Sequence, residues 1–212
     1  MQQSYGTVSW RRPRREVRQP WLSALSVLLV LLIGGASRAE GLPPTLQASL
    51  LVRILAYDRR MNTTPPPLTV AVLYLEGNGD SENVGQELAR ALEAVSRGRT
   101  IAGRPVRIIR VGFRDPPQLQ EELSRARVAA LYACEGLTAY TDSIARVTRQ
   151  LSILSFTGDR TELEQGLAIG LGRQGDSPII LVHLSAARAE GADLDAGLLS
   201  LSQLVEPTRR TP

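Results

Sequence analysis

The chain of 212 residues contains no lysine; all 25 of its basic residues are arginine. A Walker A phosphate loop, a lysine Schiff base and pyridoxal phosphate attachment are therefore excluded. One cysteine, Cys134, and one histidine, His183, are present. So few cannot assemble a Cys₄, Cys₂His₂ or His₃ site within one chain, and no metal is expected. A disulfide within the chain is excluded for the same reason. There is no Gly-x-Ser-x-Gly elbow, and no pair of acids stands out as general acid and base. No catalytic residue and no cofactor is expected, and the chain reads as a protein that is not an enzyme. The composition that remains is 43% hydrophobic, 22% charged and 4% aromatic. That is globular, and unlike collagen-like, low-complexity or disulfide-framework chains.

The net charge of +4 is unevenly placed. Arg11, Arg12, Arg14, Arg15, Arg18 and Arg38 precede residue 40, against one acid, Glu16. The body beyond is close to neutral, which argues against nucleic acid as a partner. Residues 1–39 have the order of a secretory signal. A basic stretch leads into an apolar run from Trp21 to Ile33, and Ser37 and Ala39 are the small residues a peptidase accepts. Cleavage is expected between Ala39 and Glu40. The protein would then meet the membrane only through this segment, before it is removed. An uncleaved inner-membrane anchor is the alternative, although the run is shorter than the ~20 residues a span prefers.

The body alternates helical and strand periodicities. Leu46, Leu50, Leu51, Ile54 and Leu55 mark a helix over 45–60, and three prolines end the linker at residue 67. Strands are expected over 68–75, 104–113, 128–134 and 151–156. Helices are expected over Val84–Val95, from Asp115 onward with Pro116 at its first position, and over 141–150. Asp159 with Glu162 three residues on resembles a capping box. The runs 167–172 and 178–184 are joined by a short turn and read as an antiparallel hairpin. Helical pieces over 185–190 and 195–205 close the chain. The expected fold class is α/β: a mainly parallel sheet with helices on both faces and a C-terminal antiparallel hairpin, a Rossmann-like three-layer sandwich. The domain reading is a signal peptide over 1–39, linker and first helix over 40–67, one domain over 45–206, and a tail over 207–212.

Several motifs invite chemistry and have a plainer reading beside it. Gly170, Gly172 and Gly175 spell G-x-G-x-x-G, but a strand follows where a helix N-terminus is needed, so turn and packing roles are favoured. Gly77-Asn78-Gly79-Asp80 lies between a strand and a helix. Asp80 would repel an anion there and reads as the helix cap. Cys134 ends a buried strand with no base assigned to it, and reads as inert. His183, on another strand, reads as a hydrogen-bonded structural residue. Glu190, Asp193 and Asp195 flank Gly191 between two helices, and are expected to crowd a solvent-facing turn.

The segment Pro178 to Val205, PIILVHLSAARAEGADLDAGLLSLSQLV, resembles the end of the YfiR/HmsC family. There a strand leads to Asn-Leu, a short alanine-rich helix, a glycine and a leucine-rich helix. Here these are His183-Leu184, Ala186 and Ala187, Gly191, and Leu198, Leu199 and Leu201. Ile101 to Val111 resembles the family's second strand and the turn before it. The likeness runs through residues 45–206. His183 stands where the family has asparagine, its cysteine pairs are absent, and Asp58 to Thr64 replaces an aromatic segment. The resemblance implies a periplasmic, non-catalytic regulator that binds the periplasmic part of an inner-membrane diguanylate cyclase or other sensor protein. Such a protein represses its partner, lowering cyclic-di-GMP and biofilm formation. Glu190, Asp193 and Asp195 are the candidate partner-binding residues, and a homodimer is left open. The alternative is a single-lobe periplasmic protein that binds a small solute.

Overall fold

The computed structural model describes Gln2 and residues 41–206. The described residues 41–206 fall in one compact unit. The signal segment, with Ala39 and Glu40, and the tail lie outside the described residues. Among the described residues, no helix is long and apolar enough to cross a membrane.

Helix α1, Pro44–Leu55, starts with proline at its first position and buries Ala48, Leu51, Ile54 and Leu55 at helical spacing. It ends five residues before the expected boundary. Asp58 then caps a 3₁₀ turn, Arg59–Asn62, through the Arg60 amide. Strand β1, Leu68–Leu75, is buried over its first six residues, as a central parallel strand should be. Helix α2, Gly79–Ser96, is capped by Asn78, whose Oδ1 accepts from the Ser81 amide at 3.1 Å. The cap is therefore Asn78 and not Asp80, which lies within the first turn.

A two-residue strand β2, Thr100–Ile101, turns through Ala102-Gly103 into β3, Arg104–Phe113. Helix α3, Pro116–Ala126, begins as expected with Asp115 accepting from the Gln118 amide. Strand β4, Val128–Ala133, is buried throughout. Helix α4, Thr141–Leu151, leads to β5, Leu154–Thr157, which starts three residues later than expected. The short helix α5, Arg160–Glu164, precedes the hairpin of β6, Ile169–Gln174, and β7, Ser177–Val182. Helix α6, Leu184–Ala189, and a five-residue α7, Ala196–Ser200, follow. The long final helix expected over 195–205 is not formed. Its second half is strand β8, Gln203–Leu204, paired in parallel with Leu181 and Val182.

The strands form one sheet in the order β2-β3-β1-β4-β5-β6-β7-β8. Pairing is parallel from β3 through β6 and antiparallel in the β6–β7 hairpin. The fold class expected from the sequence is the one observed, except that β8 partly covers the hairpin's outer strand. Alternation along each strand divides the core in two. Val70, Val72, Leu154 and Phe156 face one layer with α1, α2, α6 and α7. Ala71, Leu73, Leu131 and Ala133 face the other with α3 and α4. Gly170 sits where a side chain would collide with Leu163, so that glycine serves close packing of α5 on β6.

Candidate functional site

Open parallel sheets bind ligands outside the carboxyl ends of their strands, where the chain reverses its direction of winding. Here that point lies between β1 and β4, with neighbours β3 and β5 on either side. Ser81 closes it. Its Oγ donates to the Glu135 carbonyl at 2.6 Å and accepts from the Leu75 amide at 3.0 Å, tying the loop after β1 to the loop after β4. Beside it, Arg114 forks onto the Glu76 carboxylate across the ends of β1 and β3. The Gly77–Asp80 loop is thus a turn and a cap, stitched to its neighbour.

A second polar group is buried one strand further on. Glu162 is fully buried and accepts from the hydroxyls of Thr157, at 2.6 Å, and Thr138, at 3.2 Å. It does not complete a capping box. Asp159 caps α5 through the Thr161 amide, while the Asp159 amide turns to the Thr157 hydroxyl. Burial disfavours the charged carboxylate and raises the pKa of Glu162 to about 7. Cys134 is buried nearby; burial, with Glu162 second, pushes its thiol up to about 12. Such a thiol is not a nucleophile at neutral pH. His183 directly follows β7, and its amide donates to the Ala168 carbonyl just before β6, so β5 and β6 lie between it and β4. It caps α6: its Nδ1 accepts from the Ala186 amide at 3.1 Å. Burial lowers its basicity, which favours the neutral ring the cap requires. An asparagine side chain offers the same acceptor, which accounts for histidine standing at that place.

The three C-terminal acids do not act together. Glu190 is fully buried, against the expectation of a solvent-facing turn. Its carboxyl sits between α4 and β5. It accepts from the Ser155 amide at 2.8 Å and the Ser155 hydroxyl at 2.7 Å, and meets the Thr148 hydroxyl at 2.6 Å. Thr148 Oγ is also 3.1 Å from the Ala145 carbonyl. One hydroxyl proton cannot serve both oxygens, and a proton on Glu190 satisfies both. Burial moves this carboxyl in the same direction, up to about 7. Asp195 caps α7 through the Gly197 amide and pairs with Arg59 at 2.8 Å. Asp193 is exposed, and its amide donates to the buried Asp58 carboxylate at 3.0 Å.

These contacts join two segments that the sequence singled out separately. Arg59 donates its amide to the Asp193 carbonyl, the Asp195 amide donates to the Tyr57 carbonyl, and Arg60 reaches the Glu190 carbonyl at 2.8 Å. The 58–64 segment and the 190–195 turn are one clasp. Ser81, Ser155 and Thr148 were missed by sequence reasoning, and Glu162 was read only as a capping residue. Their one visible signal is a hydroxyl or acid inside an apolar run, as at Ser155 and Thr157.

The fold defines the class: a single α/β domain of the kind found in substrate-binding proteins. A structure of a substrate binding protein with adhesive properties from Clostridium difficile matches with a TM-score of 0.52 and 12% identity, over 68% of this chain and 56% of that one. A conserved domain protein from Vibrio cholerae matches with a TM-score of 0.55 and 12% identity, over 76% and 60%. An ABC domain in complex with L-Trp from Streptococcus pneumonia matches with a TM-score of 0.53 and 10% identity, over 74% and 62%. The chain thus spans about three fifths of the length of these three structures, and at these identities the likeness is one of fold alone. No curated protein matches by sequence. The family is nevertheless defined: the YfiR/HmsC-like model matches residues 44–203, and the chain belongs to that family. The family is one of periplasmic regulators, generally non-catalytic.

Proposed function

We propose that the protein is exported, is released by cleavage between Ala39 and Glu40, and represses a membrane sensor by binding its periplasmic part. By the family resemblance that sensor is an inner-membrane diguanylate cyclase. Membership over residues 44–203 is the observation that carries this reading. The geometry supports it in one respect. Ser81, Glu162 and Glu190 in the interior and the Arg114–Glu76 pair at the strand ends are engaged with neighbouring groups, as befits a domain that acts through its surface. Of the candidate partner residues, Glu190 is withdrawn into the core and Asp195 is engaged by Arg59, leaving Asp193 as the exposed acid of the turn.

The second reading, a single-lobe solute-binding protein, is supported by the fold likeness to substrate-binding proteins. The stitch at Ser81 weighs against a cleft at the usual place. Gene deletion in the native host separates the two. Under the regulatory reading, loss raises cyclic-di-GMP and surface attachment. The exported chain restores both, and a form lacking residues 1–39 does not. Unchanged cyclic-di-GMP with failed uptake of a solute would replace this reading with the second.

A further inference from the structure

Among the described residues, one long edge of the sheet has no partner strand. Strand β2 pairs only with Arg104 and Pro105, so β3 from Val106 to Phe113 has β1 on one side and no described strand on the other. The direction of its backbone groups follows from its two ends. The Phe113 carbonyl accepts from the Glu76 amide, on the β1 side. Arg104 faces β2 across the tight turn at Ala102-Gly103, where both residues have positive φ, 50° and 74°. Alternation then turns the amides and carbonyls of Ile108, Arg110 and Gly112 outward, a ladder in which only the Gly112 carbonyl already meets a side chain, the Gln118 amide at 3.4 Å.

The surroundings of this edge have the shape of a slot. On the α2 side lies a groove of about 450 Å³ whose walls include Glu93, Arg97, Arg99, Val106 and Ile108. On the α3 side lies one of about 400 Å³ whose walls include Arg107, Ile109, Glu122 and Arg125. The strand edge thus lies between two grooves, one bordered by residues at the end of α2 and one by residues of α3.

The charge of the slot selects its occupant. Five arginines (97, 99, 107, 110 and 125) line the two grooves against two glutamates; Arg125 is paired with Glu121, and the remaining four still outnumber the acids. Arg107 is held by the Ala126 carbonyl at 2.9 Å, and Arg110 by the Glu82 carbonyl at 3.2 Å with its plane over Tyr74. Neither of these contacts neutralises the charge. A second copy of the chain laid antiparallel on β3 would set these arginines against their own copies, which is unfavourable. Arg107 and Arg110 are three residues apart, so they project from opposite faces of the strand, beside Ile109 and Ile108.

We propose that β3 accepts an extended, acid-bearing segment of a partner protein as an added strand, with two acids three residues apart and apolar residues between them. This rests on the reading above that the protein acts by binding. Main-chain bonds to Ile108, Arg110 and Gly112 would hold the segment, and the arginines would choose its charge.

Two measurements test it. In the first, the capped peptide Thr-Glu-Val-Val-Glu-Val-Thr is added to the chain isolated from the cell envelope, and amide exchange is followed residue by residue. Exchange at Ile108, Arg110 and Gly112 should slow by at least about tenfold, and a peptide with lysine for both glutamates should not do this. In the second, an Arg107→Glu, Arg110→Glu double variant with an unchanged melting temperature is returned to the deletion host. It should fail to lower cyclic-di-GMP where the parent chain succeeds. Failure of the parent chain itself would sink the regulatory reading. Success of both chains would overturn only the β3 proposal, as would absence of peptide protection, which would leave the arginines as guards of a bare edge. Protection of the same three amides in the chain alone as its concentration rises would assign the edge to a second copy, and also overturn the proposal.

Discussion

Ser155 and Thr157 stand two residues apart on β5, and each hydrogen-bonds a buried glutamate. The two carboxyls resemble each other in electrostatics and differ in what they connect. Glu162 is five residues from Thr157 and 24 from Thr138, and it braces the turn after β5 against the loop after β4 through hydroxyls alone. Glu190 is 35 residues from Ser155 and 42 from Thr148, and it pins the end of α6 to β5 and α4. Ser155 extends that pin to β6 by accepting from the Ala168 amide at 2.8 Å. The same side chain in the same apolar setting is a brace between two neighbouring loops in one place and, through a backbone amide as well as hydroxyls, a tie between more distant segments in the other. Breaking the tie should therefore cost more than breaking the brace.

The largest effect expected is on stability against pH. Both carboxyls titrate near 7 when folded, well above their range in the unfolded chain. Folding is thus favoured by their protonated forms. That contribution is fully present below about pH 4.5 and is lost as pH rises through about 7, by up to about 3 kcal/mol for each group. His183 runs the other way, its contribution being lost as pH falls below its ordinary range. Urea titrations between pH 5 and 8 should show stability falling toward pH 8, and Glu190→Gln should flatten the slope. A wild-type slope of the opposite sign would refute the protonated state inferred for Glu190.

Next in size is Glu190→Ala at pH 6, which leaves the Ser155 amide and hydroxyl without their acceptor. A loss of about 3 kcal/mol is expected, seen as a melting temperature lower by about 9 °C. Glu162→Ala should cost less, because its two partners are hydroxyls that can turn to other acceptors. Equal losses would erase the distinction between tie and brace. Asp193→Ala, a few residues away on the surface, should stay within about 0.5 kcal/mol.

Smaller effects follow at the lone cysteine and histidine. Cys134→Ser places a hydroxyl in an apolar strand and should cost on the order of 1 kcal/mol. The native thiol should resist a disulfide reagent until the chain unfolds, and rapid native labelling would contradict its burial. His183→Asn should keep the α6 cap and change stability by less than about 0.5 kcal/mol, whereas His183→Ala should cost about 1 kcal/mol. Thermal melts of the two variants separate a cap from a merely space-filling ring.

The fold was largely legible because its signals are periodic and local. β1 and β3 occupy their expected residues, and Asp115 with Pro116 opens α3 as expected. Errors fell where a local signal had two readings. Asp80 and Asn78 are both good caps, and the backbone geometry of the turn chose Asn78. Leu198 to Val205 has helical spacing, but α7 stops after five residues because the edge of β7 offers Gln203 and Leu204 a ladder.

The candidate site was less legible, for a physical reason. Whether an acid faces water or the core depends on which hydroxyls and amides meet it, and those lie on distant segments. Nothing near Glu190 in the sequence foretells Thr148 and Ser155, and nothing near Asp193 foretells Asp58. By itself the sequence determined the α/β class, the order of most elements, the lack of residues for a metal or thiol centre, and the family likeness. Each of these depends on composition or on spacing within a few residues. Only the tertiary structure decided that Glu190 leaves the surface, that Ser81 closes the strand ends, that residues 58–64 clasp the C-terminal turn, and that β3 keeps an open edge. Those outcomes depend on the order of strands in the sheet, which brings together groups that the chain itself keeps far apart.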